Sequence, residues 1–308
     1  MMKVAIIGAG LMGHGLALVF AAGGHEVSVT DSHPETLGTV KSRIAETLAF
    51  LGSDKNAVER VTLDPSLEAC VANAHFVVEA APEKLELKQQ LFEQIEAAAP
   101  VDAILASNTS VIPITKIMAR LKHKHRALGT HWWNPPFLVP LVEVIQTEDT
   151  SMEVITQTMA LLQQLGKVPV HVKKDVPGFV GNRMQGALWR EAISLVENGV
   201  CDAETVDLVV KNSFGRRLAV LGPLENADLI GLDLTLDIHR QFLSDLETSK
   251  SPSPYLEALV RDGNLGFKSN QGFKPWTEEK KNALRATLRE HLKTINQLLG
   301  SQGGNHAK

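Results

Sequence analysis

His131 and Glu143 are the two residues whose types and spacing best suit acid–base chemistry in this sequence. Glu143 lies in the run Leu141–Ile145, and alternate side chains of a strand share a face, so its carboxylate is expected on an apolar, buried face. A buried carboxylate needs a partner, because an unpaired buried charge costs several kcal/mol. The intervening prolines let the chain turn back, which makes His131 the nearest partner for Glu143.

A histidine held in this way would serve as the base in the oxidation of an alcohol. Glu143 would accept a hydrogen bond from one ring nitrogen of His131, and the other nitrogen would take the hydroxyl proton as a hydride leaves the carbon. His131 is predicted to follow the strand Ala127–Thr130 directly, and ligands of open parallel sheets bind beyond the carboxyl ends of the strands. The alternative is a buried His–Glu pair with a purely structural role.

The segment Gly8–Gly13 has the glycine spacing that binds the pyrophosphate of a dinucleotide. It leaves a predicted strand, Val4–Ile7, and enters a predicted helix, Leu11–Ala22, which is the context that this motif requires. The free amides at the start of that helix would attract the anion. The predicted cofactor contacts in this segment are Gly8, Gly10, Leu11, Met12 and Gly13.

Asp31 ends the second predicted strand, Val27–Thr30, about 20 residues beyond the first glycine of the motif. A carboxylate at this place bonds both hydroxyls of a ribose and would repel a 2′-phosphate, so we predict NAD rather than NADP as the cofactor. The alternative is a simple glycine turn followed by an aspartate that caps a helix.

Two further polar groups are predicted near the same site. Ser107–Ser110 follows the predicted strand Ala103–Ala106 at its carboxyl end, where it would donate to a substrate oxygen or to the nicotinamide amide; as an isolated motif it is equally a helix cap. Asn182 stands in the helix that opens the second domain. It would reach back toward the cleft, or it would make a simple hydrogen bond between domains.

Strands and helices alternate through the first half of the sequence, which is the pattern of βαβ units around a parallel sheet. The predicted fold class is an α/β Rossmann-type dinucleotide-binding domain over residues 1–176, an all-α domain over 177–300, and a flexible tail over 301–308. The further predicted strands are Phe76–Val78 and Val168–Val172. The further predicted helices are Pro34–Leu51, Pro82–Ala98, Met152–Leu165, Phe179–Glu197, Ala203–Lys211, Asn226–Leu246, Tyr255–Arg261 and Glu278–Leu299.

Composition excludes several classes of protein. The chain has 308 residues, of which 44% are hydrophobic, so it has enough apolar side chains for a normal globular core. A formal charge of -4 gives no footprint for nucleic acid, and no apolar run reaches the roughly 20 residues needed to cross a bilayer. Cys70 and Cys201 lie far apart without metal-ligand spacing, so we expect two core thiols, no metal and a cytoplasmic location.

Several ordered motifs together resemble the L-3-hydroxyacyl-CoA dehydrogenase superfamily over nearly the whole chain. They are the segment Gly8–Gly13, Ser107–Ser110, His131–Asn134 with Leu141–Ile145, Lys174–Phe179 running to Asn182-Arg183, and Gly222-Pro223. The resemblance implies that His131 is the acid/base, that Glu143 orients it, and that Ser110 and Asn182 bind the substrate. It further implies a helical domain that forms a homodimer. The implied cofactor contacts are Asp31, Glu83, Lys88, Asn134 and Lys268.

The resemblance favours a 3-hydroxyacyl-CoA, or a similar 3-hydroxy acid, as the substrate and a role in fatty-acid metabolism. Two features keep an alternative open. Trp132 and Trp133 stand where the acyl-CoA enzymes typically carry phenylalanines, and the region 41–60 has no basic cluster for the CoA phosphates. Relatives that act on free substrates, namely carnitine, gulonate or a pyridine carboxylate of vitamin B6 breakdown, share the look of His131–Pro136. A non-catalytic NAD-binding protein is a further alternative.

Overall fold

The structure is a computed structural model that describes the backbone of residues 1–300 and the side chains of residues 1–298. The described chain forms two compact units, one of which is Met184–Leu288 and the other Met1–Arg183 together with the residues from Arg289 onward. The predicted domain boundary falls after residue 176, whereas the compact units divide after Arg183. The predicted tail, 301–308, lies outside the described residues.

The first unit is built on one twisted sheet of eight strands within the described chain, in the spatial order β3-β2-β1-β4-β5-β6-β7-β8. Neighbouring strands are parallel except β6 and β7, which are antiparallel. The strands are β1 Lys3–Ile7, β2 Glu26–Thr30, β3 Val61–Leu63, β4 Phe76–Glu79, β5 Ile104–Ser107, β6 Ala127–Trp132, β7 Leu141–Ile145 and β8 Val168–Val172. The predicted α/β Rossmann-type fold with a following helical domain is confirmed.

Helices cover both faces of this sheet and make up the second unit. Those up to the end of the sheet are α1 Gly13–Ala22, α2 Pro34–Gly38, α3 Val40–Leu51, α4 Leu67–Val71, α5 Leu85–Ala98, α6 Ile114–Ile117 and α7 Met152–Gln164. Those that follow are α8 Gly181–Glu197, α9 Ala203–Asn212, α10 Pro223–Ile230, α11 Leu232–Phe242, α12 Pro254–Arg261 and α13 Glu278–Gly300. No helix in the described part of the chain is long and apolar enough to span a membrane.

Two long predicted helices are wrong in length because each is broken. The predicted helix Pro34–Leu51 divides at Thr39. The hydroxyl of Thr39 donates to the carbonyl of Thr36 and so competes with the backbone hydrogen bonds of the helix. The predicted helix Asn226–Leu246 divides at Gly231, which has a φ of 98° and so ends α10 before α11 begins. Sequence reasoning also missed β3 and α4.

The apolar core lies on the two faces of the sheet, and β7 shows how the pleat divides its residues. Val142 and Val144 belong to the cluster on one face, whereas Ile145 belongs to the cluster on the other. Cys70 is buried, as predicted, but Cys201 is only partly buried, so the prediction of a core thiol is wrong for Cys201.

The second unit has a different character. None of its helices α9–α12 contains a fully buried residue, and many of their large apolar side chains face outward. Apolar residues on one face of each helix therefore lack a covering layer within the unit itself.

Candidate active site

The site begins with a pair of residues directly opposite each other on antiparallel strands. His131 on β6 is the register partner of Glu143 on β7, and opposed residues of such strands place their side chains on the same face. His131 Nδ1 lies 2.7 Å from Glu143 Oε2, and both side chains are buried. The predicted pairing is thus present. One correction applies to its position, because His131 lies within β6 rather than after it.

A tight turn after β8 delivers two backbone donors to the other oxygen of Glu143. Gly178 and Phe179 have φ values of 73° and 51°, a left-handed conformation that is common for glycine and unfavourable for phenylalanine. The turn directs the N–H groups of Val180 and Gly181 to Glu143 Oε1, at 2.9 and 3.0 Å. Successive N–H groups in such a turn form a concavity that suits an anion.

These bonds set the charge of the Glu143 carboxyl. Burial favours its neutral form, but the hydrogen bonds from His131, Gly181 and Val180 outweigh burial, so the pKa of Glu143 is lowered from its usual 4.5. Because the ionised carboxylate can only accept, His131 Nδ1 carries the hydrogen and Nε2 is left as an acceptor. This is the tautomer that a base for a hydroxyl proton requires.

Aromatic rings enclose the imidazole. The ring centroids of Trp133 and Phe179 lie 5.3 and 5.6 Å from that of His131, at interplanar angles near 50°. The indole Nε1 of Trp133 is buried and has no hydrogen-bond partner within the described chain. A buried donor without a partner is unfavourable.

A second buried carboxylate, Glu79, stands at the end of β4. It was not among the predicted site residues. Its Oε1 accepts from Lys88 Nζ at 2.6 Å and from the N–H of Ala81 at 2.7 Å, and its Oε2 accepts from the hydroxyl of Ser107 at 2.6 Å. The Glu79 and Lys88 side chains are 0% and 1% exposed, so every charge in this pair is matched inside the protein. The sequence signal was an acid that closes an otherwise apolar strand.

Glu83 connects that ion pair to the predicted substrate groups. One of its oxygens lies 3.5 Å from Lys88 Nζ, and the other accepts from the N–H groups of Ser110 and Val111, both at 3.0 Å. Asn182 Nδ2 in turn donates to the carbonyl of Ser110 at 2.7 Å. The structure thus brings Glu83, Lys88, Ser110 and Asn182 together. Lys88 is too buried to be a surface cation, and a direct contact of Lys88 with a cofactor stays a prediction.

Hydrogen bonds from neighbouring residues also fix the charge of Glu83. Burial would raise the pKa of Glu83, but the hydroxyl of Thr109, the N–H of Val111, the charge of Lys88 and the N–H of Ser110 together lower it below 4.5. An ionised Glu83 therefore shapes the loop that follows β5.

The glycine segment fits a dinucleotide. A methyl group at Gly13 would collide with the carbonyl of Gly8, so the strand and the helix approach as closely as the motif requires. No atom in the described part of the chain lies within 4 Å of the position where Gly10 would carry a side chain, which leaves the backbone open to a pyrophosphate. Leu11 and Met12 lie between them, and Leu11 is exposed.

Asp31 lies beside this segment, at the end of β2. Its Oδ2 accepts from the N–H of Ala9 at 2.6 Å, and its Oδ1 accepts from the N–H of His33 at 2.8 Å. Oδ1 also lies 3.2 Å from Nδ1 of the His33 ring, so Oδ2 is the oxygen that keeps a lone pair for a ribose hydroxyl. The carboxylate is thus placed as a dinucleotide site of the NAD type requires.

The remaining predicted cofactor residues are Asn134 and Lys268. Asn134 is exposed in the connection between β6 and β7. Lys268 belongs to the second unit, where it lines a cavity of about 670 Å³. Their predicted contacts stay predictions.

Comparison with known proteins gives the chain its family. Residues 3–176 match the model of the 3-hydroxyacyl-CoA dehydrogenase NAD binding domain, and residues 178–276 match that of the 3-hydroxyacyl-CoA dehydrogenase C-terminal domain. The fold and the site thus define an NAD-dependent oxidoreductase that acts on CH–OH groups. The chain belongs to the 3-hydroxyacyl-CoA dehydrogenase family.

Individual relatives within the family differ in their named substrates. The chain is 36% identical over 302 residues, 96% of its length and 98% of the relative's, to 5-formyl-3-hydroxy-2-methylpyridine 4-carboxylate 5-dehydrogenase of Mesorhizobium japonicum. It is 36% identical to a probable 3-hydroxybutyryl-CoA dehydrogenase of Bacillus subtilis, over 90% of this chain and 98% of the relative. It is 38% identical to L-carnitine dehydrogenase of Streptomyces coelicolor, over 74% and 73%.

A solved structure agrees with the first of these relatives. The crystal structure of 5-formyl-3-hydroxy-2-methylpyridine 4-carboxylic acid 5-dehydrogenase, described as an NAD+ dependent dismutase, superposes with a TM-score of 0.91 at 34% identity. The match covers 97% of this chain and 99% of that one. The predictions of family, enzyme class and NAD as cofactor are confirmed.

Proposed function

We propose that this protein uses NAD to oxidise a CH–OH group of a small, free carboxylic acid rather than of a CoA thioester. The observation that carries the reaction is the bond between His131 Nδ1 and Glu143 Oε2, at 2.7 Å, which leaves the second ring nitrogen as an acceptor. The CoA thioester that the sequence alone favours becomes the second candidate.

In the proposed reaction His131 Nε2 takes the hydroxyl proton as a hydride leaves the same carbon. Glu143 holds the ring through Nδ1 and stabilises the imidazolium that forms. NAD, when bound, supplies the nicotinamide ring that receives the hydride. The imidazolium then releases its proton to solvent, so that the products are the carbonyl compound, NADH and a proton.

Similarity over the whole chain supports a free aromatic acid. The relative named for a pyridine carboxylate matches 96% of this chain, whereas the relative named for 3-hydroxybutyryl-CoA matches 90%. An aldehyde such as the formyl group of that pyridine presents a CH–OH group once it is hydrated. The partly exposed ring of Trp133 beside His131 offers a flat apolar surface for an aromatic ring.

The cations between residues 41 and 60 also favour a free acid. Arg43 donates to the carbonyls of Ala9 and Gly10, and Arg60 donates to the carbonyl of Ala21, so both guanidinium groups are engaged by the protein itself. Lys41 and Lys55 are the remaining cations of this region, and both are exposed. Two separate lysines are a poor match for the phosphate groups of CoA, which call for clustered charge.

Turnover across a substrate panel tests this proposal. NADH formation would be followed with 3-hydroxybutyryl-CoA, L-carnitine, gulonate, 5-formyl-3-hydroxy-2-methylpyridine 4-carboxylate and related hydroxymethyl acids. We expect kcat/KM for the best free acid to exceed that for the thioester by at least about a hundredfold, which is a difference of roughly 2.7 kcal/mol in transition-state binding. A preference of that size for 3-hydroxybutyryl-CoA would contradict the proposal and establish the second candidate.

L-Carnitine is a third candidate, because the relative named L-carnitine dehydrogenase has 38% identity with this chain. Carnitine carries a quaternary ammonium group, which aromatic rings recognise through cation–π contacts. Trp133 is the aromatic side chain next to His131 that would provide such a contact. Turnover of carnitine that Trp133→Leu abolishes, while Trp132→Leu does not, would support this candidate.

We further propose that the protein forms a homodimer through its helical unit. Leu224, Leu229 and Leu232 on α10 and α11 are 80%, 72% and 63% exposed, and exposed apolar side chains of this kind mark an interaction surface. Sedimentation analysis should give twice the mass of one chain, and Leu224→Lys with Leu232→Lys should reduce it to one. Val101→Lys, at another exposed apolar residue, is the matched control. A monomeric wild type would contradict this part of the proposal.

A cytoplasmic location is likewise proposed.

A further inference from the structure

The segment Trp133–Pro140 joins the two strands of the His–Glu pair. It leaves β6 just after His131 and enters β7 just before Glu143, so its conformation fixes how the two strands meet. Within it, the N–H groups of Leu138 and Val139 both donate to the carbonyl of Pro135, at 3.0 and 2.9 Å. The carbonyls of the residues that follow Pro135 must find donors elsewhere.

Two side chains from distant parts of the chain provide those donors. Lys167, just before β8, donates to the carbonyl of Pro136 at 2.5 Å and to that of Val139 at 3.2 Å. Asn296 on α13 donates through Nδ2 to the carbonyl of Leu138 at 2.5 Å. Three backbone carbonyls of the segment are therefore bound by the side chains of two residues outside it.

The segment also rests on the helix of the glycine motif. A methyl group added to Gly15 on α1 would lie 2.6 Å from Pro136 Cγ and 3.5 Å from the ring of Phe137, so the side chains of the segment pack closely against the backbone of α1. A shift of the segment would therefore move α1 as well as the strands that carry His131 and Glu143.

Lys167 occupies its position at an energetic disadvantage. Burial lowers the pKa of Lys167 from 10.5 to about 8, and its acceptors are neutral carbonyls rather than a carboxylate. Its ammonium group lies 5.7 Å from the ring centroid of Trp132, the residue next to His131. Because the buried ammonium group of Lys167 donates only to backbone carbonyls, we infer that its role is to hold them in place.

Asn296 belongs to the end of α13, which is part of the first unit and contacts α3 at a second point. Lys293 donates to the carbonyl of Phe50 at 2.9 Å, and the guanidinium of Arg289 lies 4.1 Å from the ring centroid of Phe50. The family models end at residue 276, so this part of α13 is a feature that they do not describe.

We propose that Lys167 and Asn296 are positioning residues, which hold the Trp133–Pro140 segment against α1 and so set the geometry of the His131–Glu143 pair relative to the dinucleotide. The inference rests on the proposed reaction at His131. Neither residue touches the reacting atoms, so each acts through the backbone that it holds.

Steady-state kinetics and NADH binding of the full chain test this inference. Lys167→Met and Asn296→Leu remove the donors with little change of size, Lys167→Arg and Asn296→Gln keep a donor, and Lys122→Met is a matched control at an exposed lysine. We expect Lys167→Met to lower kcat by about tenfold and to raise the dissociation constant for NADH severalfold. Asn296→Leu should act in the same direction but less strongly. The two variants that keep a donor should recover most of the loss.

A double variant separates positioning from loss of stability. If Lys167 acts through the pair, Lys167→Met should reduce kcat much less in a Glu143→Gln background than in the wild type, because the geometry it maintains is already spoiled. Thermal unfolding identifies any variant that is simply destabilised, and for such a variant the Lys167→Arg protein is compared instead.

Three outcomes are distinct. Wild-type kcat and NADH affinity in folded Lys167→Met would overturn the inference, as would reductions that multiply fully with those of Glu143→Gln. Weaker NADH binding in Lys167→Met, together with wild-type turnover in His131→Gln, would leave the positioning of the segment standing and overturn the proposed reaction at His131.

Discussion

Glu143 and Glu79 are held in the same way, yet the two carboxylates support different chemistry. Each is buried in the sheet, and each accepts from the backbone, Glu143 from two N–H groups and Glu79 from one. Each is also paired with a basic side chain, His131 at 2.7 Å and Lys88 at 2.6 Å. The partners differ. Imidazole keeps a second nitrogen that accepts and returns a proton, whereas an ammonium group has donors alone. The basic partner, and not the carboxylate, therefore decides whether such a pair takes part in a reaction or only holds its neighbours.

The largest effect should come from the partner that reacts. His131→Gln keeps a polar side chain but removes the base, so kcat should fall by about a hundredfold to ten-thousandfold. The dissociation constant for NADH, measured by fluorescence titration, should stay within about twofold, because the glycine segment is untouched. Equal losses of NADH affinity and turnover would make His131 a structural residue and remove the contrast with Lys88.

The second carboxylate should reveal itself in stability. Glu79→Gln removes the buried counter-charge of Lys88 and leaves the partly exposed Glu83, 3.5 Å from Lys88 Nζ, as the anion beside it, so we expect a loss of up to about 3–5 kcal/mol in the free energy of unfolding. Adding Lys88→Met removes that charge and should restore most of the loss. Urea unfolding of the single and double variants measures both values. A double variant no more stable than the single one would mean that the ion pair is not the source of the effect.

Glu143→Gln should moderately reduce both the turnover and the stability of the protein. The amide can no longer hold the imidazolium, so kcat should fall by about tenfold or more, comparable to the loss of an outer-shell partner of a ligating histidine. Because the pKa of Glu143 is lowered in the folded protein, its charge stabilises the fold above pH 4.5 and this contribution is lost as the pH falls through the lowered pKa.

Acid unfolding distinguishes that contribution from a general weakening. The gap in stability between wild type and Glu143→Gln should be full at pH 6 and should narrow only below pH 4.5, as the pH falls through the lowered pKa of the wild-type carboxyl. A gap that stays constant over this range would show that the carboxylate charge is not what stabilises the turn at Val180 and Gly181.

A third carboxylate, Asp31, extends the comparison to a ligand from outside the protein. Its side chain is partly accessible, at 13%, and it is predicted to face a ribose. Asp31→Ser removes the repulsion of a 2′-phosphate, so the ratio of kcat/KM for NADP to that for NAD should rise by about tenfold. Glu35→Ser, at an exposed carboxylate close in sequence, is the matched control. An unchanged ratio would assign cofactor choice to other residues.

Sequence patterns predicted most of the sheet because its strands are apolar runs separated by clear turns. They did not predict β3, since Val61–Leu63 is only three residues long and pairs with β2 alone at the edge of the sheet. The alternation of strands and helices along the chain also did not predict that β6 and β7 pair in antiparallel. The prolines between them indicated a reversal but did not specify the register that sets His131 opposite Glu143.

The site followed the same division. The pairing of His131 with Glu143 could be predicted, because a carboxylate on an apolar strand requires a partner. Glu79 and Lys88 could not be paired in this way, since Glu79 closes its strand and an acid at a strand end is usually solvated. The left-handed turn at Phe179 had no sequence signal beyond the preceding glycine, because phenylalanine itself disfavours that conformation.

Chemical rescue tests most directly whether a free imidazole nitrogen at this place is the base. His131→Ala opens a space beside Glu143, and imidazole added to the assay with the best substrate of the panel should restore turnover in a saturable way. Methylammonium at the same concentrations should not. If His131→Ala forms NADH at the wild-type rate without any added base, the proton is taken elsewhere and the account is contradicted.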